Sequence, residues 1–186
     1  MWRRIMMSTG MALMLGACGV IGGAASTTTT STSTTTTLPP VLPVPDPPPD
    51  WRVKDEYLEL GTIEIPAIDV TQKLLKGVTL RTFDKGVGWW PGTAEPGGYG
   101  NMVLGGHRTS GIKPFRHVDK LKRGDEIIVT TPAESFTYVV RKIDVVDDSA
   151  LWIVDQEPGY TATLFACHPV GSTAERIVVF ADLVRN

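Results

Sequence analysis

Beyond residue 51 the apolar positions fall in short runs rich in β-branched residues, separated by Gly, Pro and Asp. That texture predicts many short strands joined by turns. Strands are expected over residues 61–65, 101–104, 125–130, 135–146, 161–166 and 176–184. One interval breaks the pattern. Phe115, Val118 and Leu121 recur at helical spacing and are followed by Lys122-Arg123-Gly124, which predicts a short helix over 114–121. The fold class is therefore mainly β, a barrel with one or two short helices.

The pattern before residue 51 is different. Residues 1–25 read as an export signal, because Trp2-Arg3-Arg4 precedes a short apolar run over residues 5–15. The run is short for a fixed membrane-spanning helix. It ends in Leu15-Gly16-Ala17-Cys18, which resembles a bacterial lipobox and makes Cys18 a candidate for lipidation. An ordinary cleaved signal and an uncleaved anchor reaching residue 25 are the alternatives. Residues 26–50 are almost pure Thr and Ser and then dominated by Pro, a composition that cannot bury a core and reads as an extended stalk or a plain linker. The folded domain is expected over residues 51–186, outside the membrane.

Composition narrows the function classes. The net charge of −2, from 18 basic and 20 acidic residues, shows no basic surplus for nucleic-acid binding. The two cysteines, Cys18 and Cys167, lie in the leader and near the C-terminus, so they form no disulfide framework. A lone thiol at Cys167 in an exported domain is exposed to oxidation, which favours a chemical role for it.

Strand order suggests which residues meet that thiol. Cys167 ends one predicted strand and Arg176 opens the next, so a hairpin through residues 168–175 would make them neighbours. His107 also follows an apolar strand, after Gly105 and Gly106, which permit close approach. A thiol needs an imidazole or an electropositive setting to supply thiolate. Arg176 suits a developing oxyanion, where preorganised charge contributes about 3 kcal/mol.

Several local motifs accompany these residues: Leu60-Gly61-Thr62-Ile63-Glu64-Ile65-Pro66, Trp90-Pro91-Gly92-Thr93-Ala94, and Gly100-Asn101-Met102-Val103-Leu104-Gly105-Gly106-His107-Arg108-Thr109. Then come Pro114-Phe115, Leu121-Lys122-Arg123-Gly124-Asp125-Glu126-Ile127, Thr163-Leu164-Phe165-Ala166-Cys167-His168-Pro169 and Arg176-Ile177-Val178-Val179. Their order and spacing, from Leu60 to Leu183, resemble the sortases, bacterial cysteine transpeptidases, and most of all actinobacterial class E members.

The resemblance implies a closed eight-stranded sortase barrel and no cofactor. It implies cleavage of a C-terminal Leu-Pro-x-Thr-Gly or Leu-Ala-x-Thr-Gly sorting signal after threonine. The thioacyl enzyme would be resolved by an amine of a peptidoglycan precursor or another surface protein. Cys167 matches the nucleophile, His107 the proton donor and acceptor, and Arg176 the oxyanion stabiliser. The expected location is the extracytoplasmic face of the cell membrane, reached through a lipid or an N-terminal transmembrane segment. A thiol endopeptidase that only hydrolyses, and a non-catalytic peptide-binding domain, are the alternatives. Ala166 stands where many members have Thr, and the lipobox-like leader differs from the usual transmembrane anchor.

Other candidates carry less. Arg108, Thr109 and Thr163 are expected to contact substrate, although a turn role suits Arg108 and Thr109 equally. His168 neighbours the thiol in sequence but points to the opposite strand face, and His117 reads as a surface residue. The three histidines and Cys167 lack metal-ligand spacing. Tyr99, Trp89 and Trp90 are read either as an apolar substrate rim or as core.

Overall fold

The computed structural model describes residues 40–50, 52 and 57–185. Its strands are β1 (Glu59–Ile65), β2 (Val70–Lys76), β3 (Val87–Trp89), β4 (Gly100–Gly105), β5 (Glu126–Thr130), β6 (Ser135–Asp147), β7 (Tyr160–His168) and β8 (Glu175–Leu183). They close into a barrel in the order β1-β2-β3-β4-β7-β8-β6-β5. β2–β3 and β4–β7 are parallel and the other pairs antiparallel. Among the described residues the single α-helix, α1 (Leu80–Phe83), lies between β2 and β3.

Alternation along each strand divides the apolar side chains between two clusters. Met102 and Leu104 of β4, Ala162, Leu164 and Ala166 of β7, and Ile177, Val179 and Ala181 of β8 belong to the large cluster inside the barrel. Val103, Phe165 and Val178, one residue out of phase, join Val78, Phe83, Trp90 and Ile153 in a smaller cluster outside it. Each Leu, Ile or Phe removed from water contributes about 1.5–3 kcal/mol.

Six of the eight strands match the expected intervals. β2 and β3 were not anticipated, because β2 carries Gln72 and two lysines among its apolar positions and β3 is three residues long. The helix expected over 114–121 is instead a chain of tight turns with a 3-10 segment at Val118–Lys120. Arg116, Val118, Lys120 and Leu121 each donate to the carbonyl three residues back. A 3-10 turn repeats every three residues, which satisfies the 115, 118, 121 spacing as well as an α-helix does.

The proline-rich segment, expected in the stalk, is bonded to the barrel domain before residue 50. Asp46 N donates to Pro91 O at 2.9 Å, and Trp90 Nε1 donates to Asp46 O at 2.9 Å. Gly92, at φ 77°, lies so close to this segment that a Cβ there would stand 2.4 Å from Val44 O. The leader, Cys18 and the Thr/Ser tract lie outside the described residues.

Candidate active site

Topology brings three strand ends to one end of the barrel. β4 and β7 run parallel, so both finish there, and β8 runs back from it. Cys167 pairs directly with Arg176 across β7 and β8, a relation that sets Cβ atoms about 5 Å apart on the same face. Gly105 pairs with Phe165, and extending that register by two residues sets His107 level with Cys167. Cys167 and Arg176 share the alternation of Phe165 and Val178, so they lie on the outer face.

These three side chains line one cleft of about 570 Å³. Its apolar wall includes Leu80, Phe83, Trp90, Leu151, Ile153 and Phe165, and Asp50 and Arg52 border it as well. Gly105 lets this wall close, since a Cβ there would meet Phe165 and Phe83 ring atoms at 2.6 Å. Arg176 Nη1 donates to Thr173 O at 2.8 Å and Glu175 O at 2.9 Å. Both bonds use one nitrogen of the guanidinium, which anchors it to the loop joining β7 and β8. His107 is held by the edge-to-face ring of Phe83, 5.6 Å between centroids. Asp84 Oδ1 lies 3.3 Å from His107 Nε2.

Arg108 lies at the cleft, but its guanidinium is engaged inside the protein. The residue is 2% exposed. Nη2 pairs with Asp119 Oδ1 at 2.8 Å, and Nη1 donates to His168 Nδ1 at 2.7 Å. Arginine has no acceptor, so His168 must accept and keep its own proton on Nε2. Burial raises the Asp119 pKa, yet the hydrogen bond and charge of Arg108 outweigh it and hold the carboxyl below its usual value. His168 therefore points away from the thiol, as strand alternation requires. Nε of Arg108 has no partner among the described residues.

Thr109 borders the cleft, and its hydroxyl accepts from Gly171 N at 3.1 Å, tying the loop after β4 to the loop after β7. Thr163 does not reach the cleft. It lies four residues before Cys167, about 13 Å along a strand. Its hydroxyl is buried and donates to Asn101 Oδ1 at 2.8 Å. Of the three aromatic candidates, Trp90 lines the cleft. Trp89 turns into the barrel core and donates to Ala94 O, while Tyr99 packs on Tyr160.

A sortase domain model matches residues 63–184, more than half of the chain. The chain belongs to the sortase family. It is 30% identical to Sortase D of Bacillus subtilis (strain 168) over 128 residues, covering 67% of this chain and 63% of that protein. It is 31% identical to Sortase SrtE1 of Streptomyces coelicolor over 140 residues, covering 67% of this chain and 40% of that protein. The chain thus spans less than two thirds of either relative. Among solved structures, a Clostridium perfringens Sortase D5 transpeptidase superposes with TM-score 0.63 and 32% identity, covering 68% of this chain and 79% of that one. A sortase E T196V mutant from Streptomyces avermitilis gives 0.63 and 27%, covering 68% and 88%.

Within this sortase, Ala166 faces the barrel interior at 3% exposure. Ala166 also borders the cleft. Asp84 was missed by sequence reasoning, because α1 is too short to show periodicity and nothing local links residue 84 to residue 107.

Proposed function

We propose that this chain is a sortase-type cysteine transpeptidase that cleaves a C-terminal sorting signal of the Leu-Pro-x-Thr-Gly or Leu-Ala-x-Thr-Gly type and transfers it to an amine. The observation that carries the reading is the cross-strand pairing of Cys167 with Arg176 beside His107 in one apolar-walled cleft. An extended peptide laid in that cleft presents its threonine carbonyl to the thiol.

The Cys167 proton passes to His107, and the thiolate attacks the threonine carbonyl carbon. Arg176 stabilises the resulting oxyanion, a role for which preorganised charge contributes about 3 kcal/mol. The Thr–Gly C–N bond breaks, and His107 returns the proton to the leaving glycine amine. A thioester between threonine and Cys167 remains. An incoming amine attacks it, losing its proton to His107; the new amide forms and the C–S bond breaks to release the thiol.

The amine is assigned to a peptidoglycan precursor or another surface protein, and the sorting signal to exported proteins. The same reading includes class E membership, supported by the likeness to Sortase SrtE1, although Sortase D is similarly close. It also includes an extracytoplasmic site of action, with residues 1–25 as signal and Cys18 as the lipidated residue or part of a transmembrane anchor.

Incubating the purified domain with each type of sorting peptide, and titrating glycine or diaminopimelate acceptors, tests the reaction. The expected product shifts from the free threonine acid to the threonine amide as acceptor rises. Water is present at about 55 M, so a millimolar amine competes only if a site orients it at a high effective concentration. Hydrolysis alone at saturating acceptor would replace this reading with the thiol endopeptidase.

A further inference from the structure

The histidine of the cleft has a partner that lies on a different element from the thiol and the arginine. Asp84 follows α1 directly, and its Oδ1 stands 3.3 Å from Nε2 of His107. We propose that Asp84 is a positioning residue: its carboxylate, at ion-pair distance from Nε2 of His107, favours the ring proton on that nitrogen and thereby leaves Nδ1 as the nitrogen that exchanges a proton with Cys167. This rests on the catalytic reading of Cys167 and His107 given above.

A carboxylate has acceptors only and carries negative charge, so it favours the tautomer with hydrogen on the nearer ring nitrogen, Nε2. The neutral ring then keeps its lone pair on Nδ1. When the thiol proton moves to Nδ1, the ring becomes an imidazolium whose charge is spread over both nitrogens and faces Asp84. The carboxylate therefore favours the thiolate–imidazolium pair over the neutral pair, without touching substrate.

The placement of Asp84 is built from several contacts. Thr79 caps α1, accepting from Thr82 N at 3.3 Å, and the two hydroxyls lie 3.0 Å apart in a buried pair. Asp84 N donates to Leu80 O at 3.0 Å, so the backbone of the turn fixes where the carboxylate begins. Phe83, the preceding residue, packs its ring against His107. On the far side Gly111, at φ 56°, makes room: a Cβ there would lie 2.9 Å from Asp84 Oδ1 and 3.5 Å from His107 Cδ2. Two of the cleft's arginines are engaged elsewhere. Arg108 is turned to Asp119 and His168, and Arg176 is held by the loop before β8.

Asp84 is half exposed, so solvent screens its charge and the effect should be smaller than for a buried triad carboxylate. Asp84→Ala, Asp84→Asn and Asp84→Glu test the role with two readouts. The first is the rate of Cys167 alkylation by iodoacetamide, which needs no sorting peptide. The second is kcat against KM with the peptide.

Loss of the carboxylate behind a metal-bound histidine costs about 10–100-fold; for the half-exposed Asp84 the lower end of that range applies, so Asp84→Ala should slow alkylation and lower kcat by about 10-fold with KM little changed. Asp84→Asn should lie between Ala and wild type, and Asp84→Glu should recover most of the rate. Alkylation unchanged or faster in Asp84→Ala overturns the proposal. So does a loss confined to KM, or one that Glu does not rescue. If the wild type turns over no peptide, the transpeptidase reading fails, and the alkylation series still decides the role of Asp84.

Discussion

Two polar clusters lie along the outer face of β7, four residues apart, and they treat their hydrogen-bonding groups in opposite ways. At Asn101 and Thr163 the groups are bonded within the protein. Asn101 Nδ2 donates to Ile153 O and Asp155 O, its Oδ1 accepts from Thr163, and Gln156 clasps its backbone from both sides. At the strand ends, no hydrogen bond among the described residues ties the Cys167 thiol, and the anchoring bonds of Arg176 use only Nη1. A polar group whose bonding is complete holds structure together; one left incomplete at a cleft is available to a ligand. β7 therefore takes part in both a bonded structural cluster and the proposed chemical one.

The sharpest way to break this comparison is Cys167→Ala. It should abolish peptide cleavage while circular dichroism and thermal unfolding stay near wild type, because the half-buried thiol contributes little packing. His107→Ala should be nearly as damaging, since His168 is held by Arg108 and cannot replace it. An active, folded Cys167→Ala protein would remove the proposed chemistry.

Next in size is Arg176→Lys, which keeps the charge but loses the planar fork, of which only Nη1 is held by Thr173 O and Glu175 O. A loss of about 100-fold in kcat is expected, as for removal of an oxyanion donor. Near wild-type turnover would reduce Arg176 to general electrostatics.

The smallest effect on turnover should come from the other cluster. Thr163→Val leaves Asn101 Oδ1 without its donor, and an unmet buried acceptor costs about 1–3 kcal/mol of stability. Denaturant unfolding should show that loss while kcat and KM hold. A large kcat defect with unchanged stability would instead return Thr163 to the site.

Much of this organisation is legible in the chain, for identifiable reasons. The pairing of Cys167 with Arg176 follows from a short loop between two apolar runs, because a hairpin leaves the end of one strand little choice of neighbour. His107 is legible only as a strand end; its meeting with Cys167 depends on parallel β4–β7 pairing, which local pattern does not reveal. Thr163 misleads because it shares the face of Cys167, and alternation gives the face but not which cleft a position reaches. β3, α1 and Asp84 are invisible for want of length. The bonded segment around Asp46 is hidden by its prolines, since a composition that forbids a core does not forbid docking onto one.

The parallel pairing of β4 with β7 has a temporal consequence. The histidine and the cysteine stand 60 positions apart in the chain, with β5 and β6 between them, and such a distant contact is made only after the intervening loop entropy has been overcome. Before β7 takes its place beside β4, a nascent or partly unfolded chain carries the thiol without its imidazole. The proposed Cys167–His107 pair thus comes into being with the finished barrel, and an immature molecule is spared from cleaving whatever peptide it meets first.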